Sequence, residues 1–445
     1  MTRLPRRLAL LRNATLPSGD VVDVLIEGDT VEAVVAAGTA PAAPESETLD
    51  LAGHVLLTAP AEPHAHLDKA LSFDAIRPPM GDLELAIASW RVYAATMTVD
   101  DIADRARRQL LAMLAQGTTA VRTHVDVLLG DGPTRGAEAL VRVRDELRGL
   151  MDVEIVALAS QDSPDSDVEA VLDLGVDLVG GAPHLARDPH GDLHRLLDIA
   201  ERRGVGVDLH TDESLDGAVT LDEFARRVVG WTTSVSAGHC SRLGSMPVAQ
   251  RDDIVAAVLA ADIGIIANPI TNLYLQGWDH PVATPRGLTA LRPLLDAGVR
   301  LAAGADNVRD PFNPLGRSDA LETAMLLVTA GHLTIDEAYA AVSDSARSVM
   351  ALPPAGVTAG ARAELLAVRA TSLADVVANA PADRYVVHAG RLVAESRVTR
   401  EVADPAAALA TASTTTSASA TSPAATSAAP PTSPSSPRPT LAETR

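Results

Sequence analysis

The chain has a single cysteine, Cys240, in 445 residues. That scarcity excludes a disulfide framework within the chain and any zinc cluster built on paired cysteine thiolates. Lysine is equally scarce: Lys69 is the only one, and arginine carries all other basic side-chain charge. Positive charge as a whole is short, with 37 Lys and Arg against 58 Asp and Glu and a formal net charge of −21. Nucleic-acid surfaces concentrate basic side chains to displace counterions, so no nucleic-acid partner is expected and a neutral small molecule suits the chain better. No uninterrupted apolar run approaches the roughly 20 residues of a membrane span, so no membrane partner is expected either. The opening MTRLPRRLALLRNATLPSGD is basic but lacks a sustained apolar core and a small-residue cleavage site. The expected location is therefore cytoplasmic.

What is present is a hydrophobic fraction of 47% against 21% charged, ordinary for a globular chain. Eight short β-branched runs follow one another between residues 55 and 306: VLLTAPAEP, TTAVRTHVD, VEIVALAS, VDLVGGAP, VGVDLHTDE, TSVSAGHC, IGIIANP and RLAAGAD. Segments such as DIADRARRQLLAMLAQ and GDLHRLLDIAERR separate them, with apolar residues three and four apart and a glycine just before the next run. Strand and helix alternate, and strands apolar on both faces are those of a parallel sheet covered on both sides. The expected fold is α/β, a (β/α)8 barrel over residues 59–351; an open doubly wound sheet is the alternative, although no GxGxxG follows the first run. VVDVLIEGDTVEAVV before the barrel and ARAELLAVRA with DRYVVHAGRLVAE after it read as hairpin strands, which predicts a small β-sandwich domain from residues 1–58 and 352–404. From about residue 405 the chain is Ala, Ser, Thr and Pro, a composition expected to be disordered. Nothing in the sequence distinguishes a monomer from a homo-oligomer, because exposed helix faces and interface faces read alike.

His64 and His66 form an i, i+2 pair at the end of the first run, and such a pair on a strand projects both imidazoles to one side. An HxH alone is weak. It gains weight because His210, His239 and Asp306 stand at the ends of the fifth, sixth and eighth runs, and in a barrel all these ends open on one face. Three imidazoles and a carboxylate suit zinc or iron and leave a position for water. His239 is either a further ligand or a catalytic partner. His124 and His184 also face the predicted mouth, where packing or a supporting role is the plainer reading. Asp68 reads as orienting a metal histidine or capping a turn, and Cys240 as a small buried residue rather than a nucleophile. His54, His190, His194, His280, His332 and His388 fall in linkers, helices or flanks and are expected at the surface, and Trp278 is the tryptophan expected nearest the pocket.

PHAHLDK, VDLHTDES, AGHCSRL, NPITNLYLQG and AGADNVRDPFNPLG together resemble the amidohydrolase superfamily in its cytosine deaminase branch, over residues 15 to 400. The resemblance implies one divalent metal, zinc or iron, on His64, His66, His210 and Asp306, with His239 contacting the metal's water and Glu213 as proton shuttle. Relatives that bridge two metals use a lysine on the fourth strand, but here that run ends GGAPH and Lys69 lies beside the HxH pair. A mononuclear site is implied. Gln161 resembles the glutamine that reads a pyrimidine ring in that branch, while Asn307 and Phe312 stand where an aspartate and a tryptophan are usual, and Lys69 is a further departure. These four are the candidate substrate contacts. The implied reaction is hydrolytic deamination of a nitrogen heterocycle, cytosine to uracil and ammonia first, with alkylamine removal from a triazine or opening of a cyclic amide as the alternative. A barrel that keeps its metal but serves only as a binding module is a third reading, which the company of Glu213 and His239 disfavours.

Overall fold

Barrel strands two to eight each follow a helix, and the helix before strand two shows how one ends. In the computed structural model, which describes residues 4–402, the helix Val99–Gln116 is started by Thr98, whose hydroxyl accepts from the Asp101 amide. It buries Ile102, Ala106, Leu110 and Met113, side chains worth about 1.5–3 kcal/mol each for the larger ones when fully covered. Gly117 ends it at φ +116°, and a Cβ there would also lie 2.8 Å from Leu366. Only glycine meets both demands.

The strand that follows, Ala120–Asp126, is the second of eight parallel strands. The others are Ala61–Ala65, Asp152–Ala159, Leu178–Gly181, Gly206–Thr211, Val235–His239, Gly264–Ala267 and Leu301–Ala303. They hydrogen-bond in sequence order, numbered one to eight below, and a parallel bridge between Ala65 and Asp306 brings the last connection back to the first. This is the (β/α)8 barrel, and the bridge that closes it joins a residue between His64 and His66 to Asp306 itself. Leu209, Ala237 and Ile265 from three consecutive strands are completely buried, as two-sided coverage requires.

Both flanks of the chain combine into one nine-stranded mixed sheet. They meet where His54–Thr58 pairs antiparallel with Leu365–Arg369, Leu57 opposite Leu366. This sheet has its own core, with Leu8, Leu11, Val24, Leu56 and Leu365 in it. The run VLLTAPAEP is therefore not one barrel strand. Its first half belongs to the flanking sheet and only the part from Ala61 enters the barrel. Pro60, which has no N–H to give a ladder, stands at the break. Two flank histidines expected at the surface are buried instead: His388 lies 2.9 Å from Glu364 through Nδ1, and His54 lies 3.3 Å from the Ala52 carbonyl. Local partners make their burial tolerable. The segment from residue 405 lies outside the described residues. Among the described residues no helix is long and apolar enough to cross a membrane.

Candidate active site

Strands one, five and eight deliver four side chains to one point at the C-terminal mouth of the barrel. His66 Nε2 lies 3.0 Å from His210 Nε2 and 3.2 Å from Asp306 Oδ1. His64 Nε2 lies 3.2 Å from His210 Nε2 and 3.7 Å from Asp306 Oδ1. All four residues are buried, and burial holds the imidazoles of His64, His66 and His210 well below their ordinary value, so they are neutral. Neither carboxylate oxygen of Asp306 has a hydrogen-bond partner. Three imidazole nitrogens crowded around an unpartnered buried carboxylate are costly without a cation, and they match the donor set of a borderline divalent ion. The residues fit a metal.

His239, at the end of strand six, sits beside this group with Nε2 3.8 Å from Asp306 Oδ2. Its ring is flanked by Asn268 at 3.3 Å and Asn272 at 3.4 Å, and its other nitrogen faces Glu213 Oε1 at 3.6 Å. Glu213 follows strand five and is buried; burial, assisted by the charge of Asp306, pushes its carboxyl up to about 8. His184, expected to pack or support, lies 3.9 Å from Glu213 on its far side, held down to about 3 by burial.

The backbone is bent to make this possible. Asp212, His239, Cys240 and Asp306 all adopt positive φ, between 46° and 66°, a region that costs a non-glycine residue on the order of 1 kcal/mol. Two close approaches demand glycine for a different reason: a Cβ on Gly238 would lie 2.8 Å from His64 Cε1, and one on Gly304 would lie 2.4 Å from Glu62 and 3.1 Å from His64 Cβ. Glu62 accepts from the amides of His64 and Ala305 and so ties strand one to strand eight.

Beneath the metal-fitting group is a layer that sequence patterning missed. Asp208, two residues before His210, lies 3.8 Å from His64 Nδ1 and 3.4 Å from His124 Nε2 through one oxygen. Its other oxygen accepts from Arg122 at 2.9 Å and Ser236 at 2.8 Å. Burial pushes this carboxyl up, but His124, Arg122 and His64 overcome it and hold Asp208 below the usual carboxylate range. Arg122 in turn reaches Glu154 at 2.5 Å. The signal was present in the sequence, as Asp208 and Arg122 stand two places before His210 and His124 on their strands, but charged residues inside a strand read as ordinary barrel filling.

Above the group opens a cavity of about 440 Å³, with His66, His210, Glu213, His239 and Asp306 at its base. The four candidate substrate residues all line it. Their polar atoms are partly engaged already. Lys69 lies 2.6 Å from Asp126 and 3.2 Å from Asp68, and although burial opposes its charge the two carboxylates raise it above the ordinary lysine value. Gln161 accepts from the Arg187 amide at 2.7 Å through its side-chain oxygen. Asn307 donates to Asp310 at 2.8 Å, and the same aspartate accepts from the Phe312 amide at 2.8 Å. Asp68 accepts from the Asp126 amide at 3.0 Å rather than touching a metal histidine. Trp278 is half-exposed and away from the cavity, because its indole turns back to the Tyr274 carbonyl at 2.8 Å. The tryptophan that lines the cavity is Trp90, whose Nε1 donates to Asp126 at 2.6 Å and whose ring lies under Lys69 at 4.8 Å.

Comparison with known proteins agrees with this geometry. The residue pattern of the "Amidohydrolase family" matches residues 84–394. The match starts beyond His64 and His66, so the fold itself supplies those two. A pterin deaminase of Rhizobium rhizogenes is 31% identical over 87% of this chain and 94% of its own. Among solved structures, 5-methylcytosine deaminase from Klebsiella pneumoniae superposes with a TM-score of 0.80 at 25% identity, over 88% of this chain and all of that one. N-isopropylammelide isopropylaminohydrolase from Burkholderia multivorans does so with a TM-score of 0.75 at 30% identity, over 87% and 98%. This chain belongs to the amidohydrolase family, hydrolases of carbon–nitrogen bonds.

Proposed function

We propose that the protein is a hydrolytic deaminase of an amino-substituted nitrogen heterocycle, with cytosine and pterin as the two ring systems to test first. The observation that carries the reading is the placement of Glu213 and His239, 3.6 Å apart, beside the converging His64, His66, His210 and Asp306, with all of these but His64 lining one cavity. Those four side chains would hold one divalent ion, zinc or iron. Such an ion, when bound, supplies water as a nucleophile near neutral pH.

The chain's own residues do the rest. His239 and Asp306 orient the attacking water and take its proton as oxygen bonds to the ring carbon that bears the amine. Glu213, neutral below about pH 8, donates a proton to the adjacent ring nitrogen. The carbon–nitrogen bond to the amine then breaks, ammonia leaves with a proton returned through Glu213, and a ring carbonyl remains. Asn307, Phe312, Gln161 and Lys69 are placed to bound the ring, and their prior hydrogen bonds hold them in fixed positions for it. Holding ring and water together removes the entropy cost of their encounter.

The likeness to the pterin and 5-methylcytosine deaminases supports this reading. A second reading, release of an alkylamine in place of ammonia, draws on the likeness to the N-isopropylammelide enzyme and uses the same groups. Ammonia and alkylamine release from cytosine, pterin and N-alkyl aminotriazines by metal-loaded protein separates the two. A His210→Ala protein that loses its metal yet keeps every turnover would overturn both.

A further inference from the structure

The cavity is much larger than one ring. An apolar cavity on the order of 150 Å³ accommodates benzene, so the 440 Å³ here is about three times what a six-membered heterocycle fills. The surplus has a definite chemistry. The reacting groups come from strands one, five, six and eight, whereas the opposite wall comes from the helix Leu83–Ala94 and the segments after strands two, three and four. Along that helix Leu83, Ile87, Trp90 and Ala94 all line the cavity, an i, i+4, i+7, i+11 stripe of the kind that normally faces a protein core. Leu128 after strand two, Leu158 in strand three and Leu185 after strand four line the same space. Two donors beside this wall, Trp90 Nε1 and the Lys69 ammonium, both go to Asp126, while Arg135 and Gln161 are among its other polar side chains. Glu84 and Arg91 stand at the rim with opposite charge.

We propose that the substrate carries an apolar arm, an alkyl or aryl group on the ring side opposite the departing amine, which lies between the Leu83–Ala94 helix and Leu128, Leu158 and Leu185. The proposal rests on the deaminase reading of the same site. Helix and leucines then form the specificity surface, and a free pyrimidine leaves it unfilled. Each methylene buried there strengthens binding roughly fourfold, so a butyl arm is worth on the order of 100-fold.

The test compares kcat/KM for ammonia release by metal-loaded enzyme on cytosine and pterin, on their derivatives bearing butyl opposite the amine, and on the matching carboxypropyl compounds. The butyl compound is expected to exceed its parent by on the order of 100-fold and the carboxypropyl compound to gain far less. In Ile87→Asp and in Leu185→Asp, both at partly exposed positions, the ratio of butyl to parent falls toward one. A ratio near one in the parent enzyme, or a preference for the carboxypropyl arm through Arg91, overturns the proposal and leaves the deaminase reading standing. If no compound releases ammonia, the deaminase reading fails, and calorimetry of butyl against bare ring on the metal-loaded protein decides the arm alone: roughly 100-fold tighter binding upholds it, and equal binding overturns it.

Discussion

Glu213→Gln should make the protein more stable and nearly inactive at once, and the size of the first effect follows from where the carboxyl sits. Burial raises Glu213 from 4.5 to about 8. A group raised on folding contributes its full stability below the unfolded value and loses it as pH climbs through the folded value. Glutamine never ionises, so the variant escapes that loss. The gap between variant and parent is near zero at pH 4.5, under about 1 kcal/mol at pH 5, and about 3 kcal/mol at pH 7, at 1.36 kcal/mol for each pH unit above 4.5. Urea denaturation of metal-stripped parent and variant across this range reads the gap directly. Turnover by metal-loaded protein falls by about 10²–10⁴, the usual worth of a positioned acid–base group, while metal content stays unchanged. A stability gap that does not widen with pH refutes the enclosed neutral carboxyl, and unchanged turnover refutes its role in proton transfer.

Gly238→Ala places a Cβ 2.8 Å from His64 Cε1, so the ring must turn from its direction; metal retained after purification should fall well below that of the parent by elemental analysis. Asp208→Asn removes one of the two carboxylates paired with the buried Arg122 guanidinium, at its 2.9 Å contact, and leaves Glu154 at 2.5 Å. A loss of about 1–3 kcal/mol is expected in denaturation and a 10–100-fold weaker metal affinity in titration. Chelation of the parent enzyme should abolish turnover without unfolding it, circular dichroism keeping its shape, and zinc or iron added back should restore activity; activity that survives exhaustive chelation contradicts the metal assignment.

The barrel was legible because its strands are apolar on both faces and several of its helices end in glycine, two local signals that recur along the chain. The metal-fitting group was legible because His64, His66, His210, His239 and Asp306 all stand at or just beyond strand ends, where chain position predicts a shared face; the choice of four among them rested on the family resemblance. What stayed hidden has a common cause. Trp90 lies 24 residues beyond His66, on a helix inserted between strand one and the first covering helix, and nothing in its local sequence says which way its stripe faces. Asp208 and Arg122 are legible only once strands two, five and six are known to be near neighbours around one axis. His54 and His388 look like surface residues until the two flanks pair, since the partners that allow their burial are tertiary. Pro60 was the one local clue that the first run divides, and its weight depended on knowing that both halves were strands.

The two halves of the barrel mouth are joined at one point, and that joint explains why the only lysine is where it is. Lys69 follows His66 by three residues and so moves with the strand that carries two of the metal-fitting histidines. Its ammonium binds Asp126 at the end of strand two, and Asp126 binds the indole of Trp90 on the wall helix. Asp68 closes the ring by accepting from the Asp126 amide, and Arg105 donates to the carbonyls of Asp68 and Ala70 at 2.9 Å from below. A buried ion pair of this kind adds little net stability over apolar packing, because desolvation offsets the attraction. What it does fix is distance and direction. A rigid link from His66 through Lys69 and Asp126 to Trp90 sets how far the apolar wall stands from the reacting carbon. In the proposed deaminase, a lysine so fully engaged by carboxylates would serve through the wall it holds in place more than through a free charge of its own.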